Sequence, residues 1–133
     1  MKKKIIAGII FILLITSSML VQAATSLTSD VFLVSDLNKT ISRIPPKVSI
    51  TDFKNQFSQK AENIHIYTDE KKTKEVTEGY VATNMVFTYE GSKDIYHISV
   101  IGDLNSDGIA NQIELNRIIK CVIGMKGYEL EGL

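Results

Sequence analysis

Apolar residues recur along this chain with two different periods, and the change of period divides it. Val31-Phe32-Leu33-Val34 is a short continuous run, and Ile64-His65-Ile66-Tyr67 alternates up to a charged turn at 69–72. Met85, Phe87 and Tyr89 alternate again, and so do Tyr96, Ile98 and Val100 after Glu90-Gly91-Ser92-Lys93. A period of two marks half-buried strands, and two such runs around a glycine-containing turn predict a β-hairpin. Beyond residue 114 the period lengthens. Leu115, Ile118, Ile119, Val122 and Ile123 fall at helical spacing, and Gly124 stands where a helix would be capped.

Between the first two runs, Ile41 and Ile44 lead into Pro45-Pro46, which cannot continue a ladder of backbone hydrogen bonds. Ser49 and Asp52 then have capping-box spacing ahead of Phe53 and Phe57, an i,i+4 aromatic pair, so a short helix is expected over about 51–58. The fold class that follows is α+β: a small antiparallel β-rich domain with one short helix over 24–101, followed by a loop and helix over 102–133.

The first 23 residues stand apart. Lys2, Lys3 and Lys4 precede a near-continuous apolar stretch from Ile5 to Ile15, then Thr16-Ser17-Ser18 and the small-residue site Val21-Gln22-Ala23. Charge, apolar core and cleavage site in that order describe a secretory signal peptide, cut after Ala23. The core is short for a bilayer, which needs about 20 residues. A secreted, extracellular or cell-surface protein is expected. Of the 133 residues 15 are basic and 15 acidic, but three of the basic ones lie in the signal, which leaves 12 against 15. No basic stripe for nucleic acid results. Cys121 is the single cysteine, so no internal disulfide can staple the fold, and packing or a metal must serve instead.

The most informative stretch is Gly102-Asp103-Leu104-Asn105-Ser106-Asp107-Gly108-Ile109-Ala110-Asn111-Gln112-Ile113-Glu114. Asp103, Asn105 and Asp107 recur at every second position, Gly108 follows at once, and Glu114 closes a loop of the EF-hand pattern. Calcium takes 6–8 oxygen ligands, and this spacing lets oxygens at loop positions 1, 3 and 5 converge on one point. Gly108 permits the sharp turn, Ile109 offers its carbonyl, Asn111 ligates directly or through water, and Glu114 can supply two oxygens. The expected Ca2+ ligands are therefore Asp103, Asn105, Asp107, Ile109, Asn111 and Glu114.

Together with Leu115, Ile118, Lys120, Val122, Ile123 and Gly124, this stretch resembles one repeat of a type I-like dockerin, present once in the 133 residues. More weakly, residues 31–101 resemble a small β-rich module that precedes dockerin repeats in secreted proteins of Gram-positive bacteria. The dockerin resemblance implies a half-dockerin, an EF-hand-like loop and exiting helix without an entering helix. It also implies calcium-dependent docking to a cohesin domain, in assemblies that degrade polysaccharide. Carried over by position, the partner-contacting places fall on Gln112, Ile113, Ile119 and Lys120. Where that family usually closes the loop with Asp, this chain has Glu114. The alternative is a calcium-stabilised structural domain of the cell envelope without a dedicated partner.

Nothing in the sequence points to catalysis. His65 and His97 both lie in expected strands, and the spacing of Asp52, Glu62, Asp69 and Glu70 does not distinguish them from solvated charge. No phosphate-cradling glycine loop and no nucleophile motif is present. The chain reads as a binding module rather than an enzyme.

Overall fold

The computed structural model describes residues 26–127, so the signal segment expected over 1–23 and the last six residues lie outside the description. Five strands form one sheet: β1 (Leu33–Ser35), β2 (Thr40–Ile44), β3 (Ile64–Tyr67), β4 (Val86–Tyr89) and β5 (Tyr96–Val100). Their spatial order is β1-β2-β5-β4-β3. Among the described residues two α-helices, α1 (Ile50–Lys54) and α2 (Gln112–Val122), and a 3-10 turn at Ala61–Asn63 accompany the sheet in a small mixed α/β domain. Among the described residues no helix is long and apolar enough to cross a membrane.

The expectation of a purely antiparallel sheet is corrected at its centre. β4 and β5 form the predicted antiparallel pair, β3 pairs with β4 and β1 with β2 in the same sense, but β2 runs parallel to β5. A parallel pair needs a crossover connection rather than a tight turn. Here residues 45–95 make that crossing and carry α1, β3 and β4 with them. The register then gathers the apolar residues on one face. Ile41 sits opposite Ile98, Ile44 opposite Val100, Tyr96 opposite Phe87, and Phe87 opposite Ile66.

Ile41 and Ile44 are an odd number of residues apart and would point to opposite faces of a regular strand. The register shifts between them, and Arg43 takes φ +62°. This bulge inserts one residue, and both isoleucines are fully buried in the same core.

An aromatic layer covers that face. Phe53 meets Phe57 edge-on with ring centroids 5.0 Å apart, Phe57 lies 4.8 Å from Phe87, and Phe32 lies 5.1 Å from Phe53. The expected pair is therefore formed, although α1 ends at Lys54 and Phe57 lies beyond it. Tertiary pairing accounts for the early stop. Phe57 bridges to Ser29, and Ser58 N–H donates to Thr28 O at 2.9 Å, so the chain leaves the helix to pair with the N-terminal segment. The start of α1 is as expected, with Ser49 as N-cap accepting from Asp52 N–H at 3.0 Å.

The parallel centre decides where the loop lies. β2 and β5 end at the same edge of the sheet, so the turn at Lys47 and the chain after Val100 emerge side by side, and Ile101 N–H donates to Ile44 O at 2.8 Å. β4 runs the other way, so the segment 79–84 that feeds it arrives at that edge too. It is held by Val81 N–H to Val48 O at 2.9 Å, Ile50 N–H to Gly79 O at 3.0 Å and Asn84 N–H to Ile98 O at 3.1 Å.

Candidate calcium site

The loop from Asp103 to Glu114 sits on that edge. Asp103, at loop position 1, is only 3% exposed, which an isolated carboxylate would not tolerate. Its Oδ2 accepts from Thr83 N–H at 2.8 Å and from Gly108 N–H at 3.1 Å, and its Oδ1 accepts from Asp107 N–H at 3.0 Å. Three backbone amides thus fix the carboxylate before any ligand is considered. Each carboxylate oxygen has about two acceptor directions, so Oδ1 retains one.

Asn105 and Asp107 line the outer turn and are exposed. Asn105 Oδ1 accepts from Asp107 N–H at 3.1 Å, Asn105 Nδ2 donates to Asp107 Oδ2 at 2.9 Å, and Asp107 Oδ1 accepts from Ile109 N–H at 2.8 Å. Such short-range bonds to the following backbone are what Asx residues form in turns.

Gly108 is buried, with φ +76°. A β-carbon there would lie 2.5 Å from Val81 O and 2.9 Å from Tyr80 Cβ, so the requirement for glycine is steric as well as conformational. Its carbonyl accepts from Lys47 N–H at 2.8 Å.

At the far end of the loop, Asn111 is the N-cap of α2. Its Oδ1 accepts from Ile113 N–H at 2.7 Å, and Glu114 Oε2 accepts from Asn111 N–H at 2.8 Å, a capping box. Glu114 is 3% exposed, and its second oxygen, Oε1, is buried with no hydrogen-bond partner. Buried carboxylate oxygens without partners are rare because the desolvation is uncompensated, and each one calls for an explanation. Arg117 Nη1 donates to Leu104 O at 3.3 Å and ties the first turns of the helix back to the loop.

The fit to a calcium ion is therefore good at both ends of the loop. Position 1 is pre-oriented, and position 12 holds an oxygen with capacity to spare. Among the described residues no three or more His, Cys, Asp and Glu side chains are drawn together as a metal cluster. Ligation would need Asp107 and Asn105 to turn inward, with the Ile109 carbonyl and the Asn111 side chain completing an oxygen shell.

Leu115, Ile118, Val122 and Ile123, which fall at helical spacing in the sequence, are all exposed, Val122 by 80%. Of the places carried over for partner contact, Gln112 is exposed, Ile113 is 62% exposed and Ile119 47%. Ile113 and Lys120 border an open groove of about 380 Å3 with Asn116, Arg117 and Gly127. The helix ends in a Schellman arrangement, with Gly124 N–H donating to Cys121 O and Met125 N–H to Lys120 O, both at 3.0 Å. Gly124 has φ +72°, so the glycine read as a stop signal is the residue that reverses the chain.

Sequence reasoning missed Thr83, Asn84 and Lys47, which hold the loop from outside. Asn84 Nδ2 donates to Ser106 Oγ at 2.9 Å. The histidines stay on the sheet surface, His65 Nδ1 2.8 Å from Glu75 Oε1 and His97 Nε2 3.3 Å from Glu70 Oε1. Compared with known proteins, the chain matches no family model, no curated protein and no solved structure.

Proposed function

We propose that this protein is an exported calcium-binding docking module. Its loop takes one Ca2+ through Asp103, Asn105, Asp107, Asn111, Glu114 and the Ile109 carbonyl. Helix α2 then offers Gln112, Ile113, Ile119 and Lys120 to a cohesin-type domain, in an assembly that degrades polysaccharide. The observation that carries the calcium reading is Glu114 Oε1, a buried carboxylate oxygen without a hydrogen-bond partner at loop position 12. A hard dication is the ligand such an oxygen suits, and when bound it supplies charge neutralisation for three carboxylates and a cross-link between loop and helix. The docking reading draws on the exposure of the α2 side chains.

A second reading is favoured by the hydrogen bonds between loop and sheet. In it the ion serves the stability of a cell-envelope domain, and no dedicated partner exists.

Isothermal titration tests the calcium reading. Wild type should bind Ca2+, and Glu114→Gln, which keeps the shape and removes one formal charge, should bind at least about tenfold more weakly, equivalent to about 1.4 kcal/mol. No wild-type binding at millimolar calcium would reduce the loop to a turn. Capture by an immobilised cohesin domain, lost in chelator, would support docking. Calcium binding without capture would leave the structural reading.

A further inference from the structure

Calcium loops are usually read from their twelve residues, yet this one is gripped by residues far from it in the chain. Thr83 N–H donates to Asp103 Oδ2 at 2.8 Å, Asn84 Nδ2 to Ser106 Oγ at 2.9 Å, and Lys47 N–H to Gly108 O at 2.8 Å. These contacts reach loop positions 1, 4 and 6, the half that must curl around an ion. Gly108 lies so close to Val81 that a β-carbon added there would stand 2.5 Å from Val81 O. Segment 79–84 is in turn fixed to the core: Thr83 Oγ1 accepts from Val100 N–H at 3.1 Å, and Val81 and Ala82 are buried.

The backbone adds an independent mark. Asn84 and Ser106, the two residues joined by the side-chain bond, have φ +71° and φ +63°. Non-glycine residues seldom adopt such angles, and they persist where the surrounding structure holds them. Here both strained residues face each other across the junction of sheet and loop.

We propose that segment 80–84 is a positioning element for the calcium loop: the Thr83 amide and the Asn84 carboxamide hold the first half of the loop in its binding curvature, so ion affinity depends on the sheet domain and ion binding tightens it. The proposal rests on the calcium reading above. Physically it is preorganisation. An ion that finds Asp103 already oriented by three amides does not have to pay for ordering it.

Two measurements test it on the full mature chain. The first is calcium titration of Asn84→Gly, Ser106→Gly and the double variant. Glycine tolerates the positive φ at either place and removes the side-chain bond, and the double variant separates that bond from the backbone freedom each glycine adds. Each single variant should lose about threefold to tenfold in calcium affinity, the worth of one neutral hydrogen bond, and the double variant should lose no more than either alone. The second is amide hydrogen exchange with and without calcium. Saturation should slow exchange at Lys47 and Thr83, whose N–H groups point at the loop, as well as within 103–122. Wild-type binding with unchanged affinity in the variants, and protection confined to 103–122, would overturn the positioning role and leave the calcium site standing. No wild-type binding would overturn both.

Discussion

Replacing Gly108 by alanine separates two costs that glycine positions usually confound. Gly108 and Gly91 share a left-handed backbone, φ +76° and φ +84°, but differ in surroundings. At Gly91, in the turn between β4 and β5, an added β-carbon meets nothing within 4 Å, so Gly91→Ala incurs the conformational cost alone, about 1–2 kcal/mol. At Gly108 the same carbon would stand 2.5 Å from Val81 O and 2.9 Å from Tyr80 Cβ. The nearest atom belongs to a backbone fixed by Val81 N–H to Val48 O, so the loop must move instead. Moving it stretches the bond from Lys47 N–H to Gly108 O and the bond from Thr83 N–H to Asp103 Oδ2. The first is worth about 0.5–1.5 kcal/mol and the second, to an ionised group, about 1.5–3 kcal/mol. Gly108→Ala should therefore cost roughly 3–6 kcal/mol, against a typical domain stability of about 5–15 kcal/mol. Urea unfolding in chelator, followed by circular dichroism, measures both variants without any contribution from an ion. A Gly108→Ala midpoint no lower than that of Gly91→Ala would refute the close packing of loop on sheet.

Other consequences can be checked as directly. Asp103→Ala should lower calcium affinity at least as much as Glu114→Gln, whereas Asn111→Ala should be milder because position 9 of such loops often works through water; isothermal titration ranks the three. Tyr96 donates its hydroxyl to Asp36, and burial together with that bond raises its pKa from the ordinary 10.0. Below pH 10 the phenol is protonated in both folded and unfolded chains. Above it the unfolded chain loses its proton first, so stability should fall as pH rises past about 10. Tyr96→Phe should flatten that fall in unfolding curves taken from pH 9 to 11. Ile119→Ser, on an exposed face of α2, should leave stability within about 0.5 kcal/mol of wild type while weakening capture of a cohesin-type partner, read by surface plasmon resonance.

Local features were legible in the sequence because local chemistry decides them. The β4–β5 hairpin follows from alternation around Gly91, the Ser49 cap from its spacing to Asp52, and the stop of α2 from Gly124. The candidate ligands were legible for the same reason, since the loop pattern lies within twelve consecutive residues. What escaped reading is non-local. The pairing of Ile41 with Ile98 leaves no mark in either segment, and Arg43, whose bulge turns Ile44 to the core, looks like any charged strand residue. Thr83 and Asn84 carry no motif; asparagine's tolerance of left-handed backbone was the only available hint. The helical spacing after Leu115 correctly gave a helix, but periodicity does not say what an apolar face meets. The residues at that spacing are exposed.

The parallel union of β2 with β5 also governs the order in which the molecule can assemble. Hairpins close early because their partners are neighbours in the chain, whereas pairings between distant segments must first overcome the entropy of closing a long loop. Thr40 waits for His97 and Ile44 for Val100, so the middle of the sheet has no partner until β5 has been made. Folding of this domain should then be slow for its size and all-or-none about its final strand. A chain in which β5 has yet to be made would hold only isolated pieces of the sheet. The loop from Asp103 to Glu114 follows β5 after two residues, so its seat on the sheet edge comes into being only once the central strands have joined.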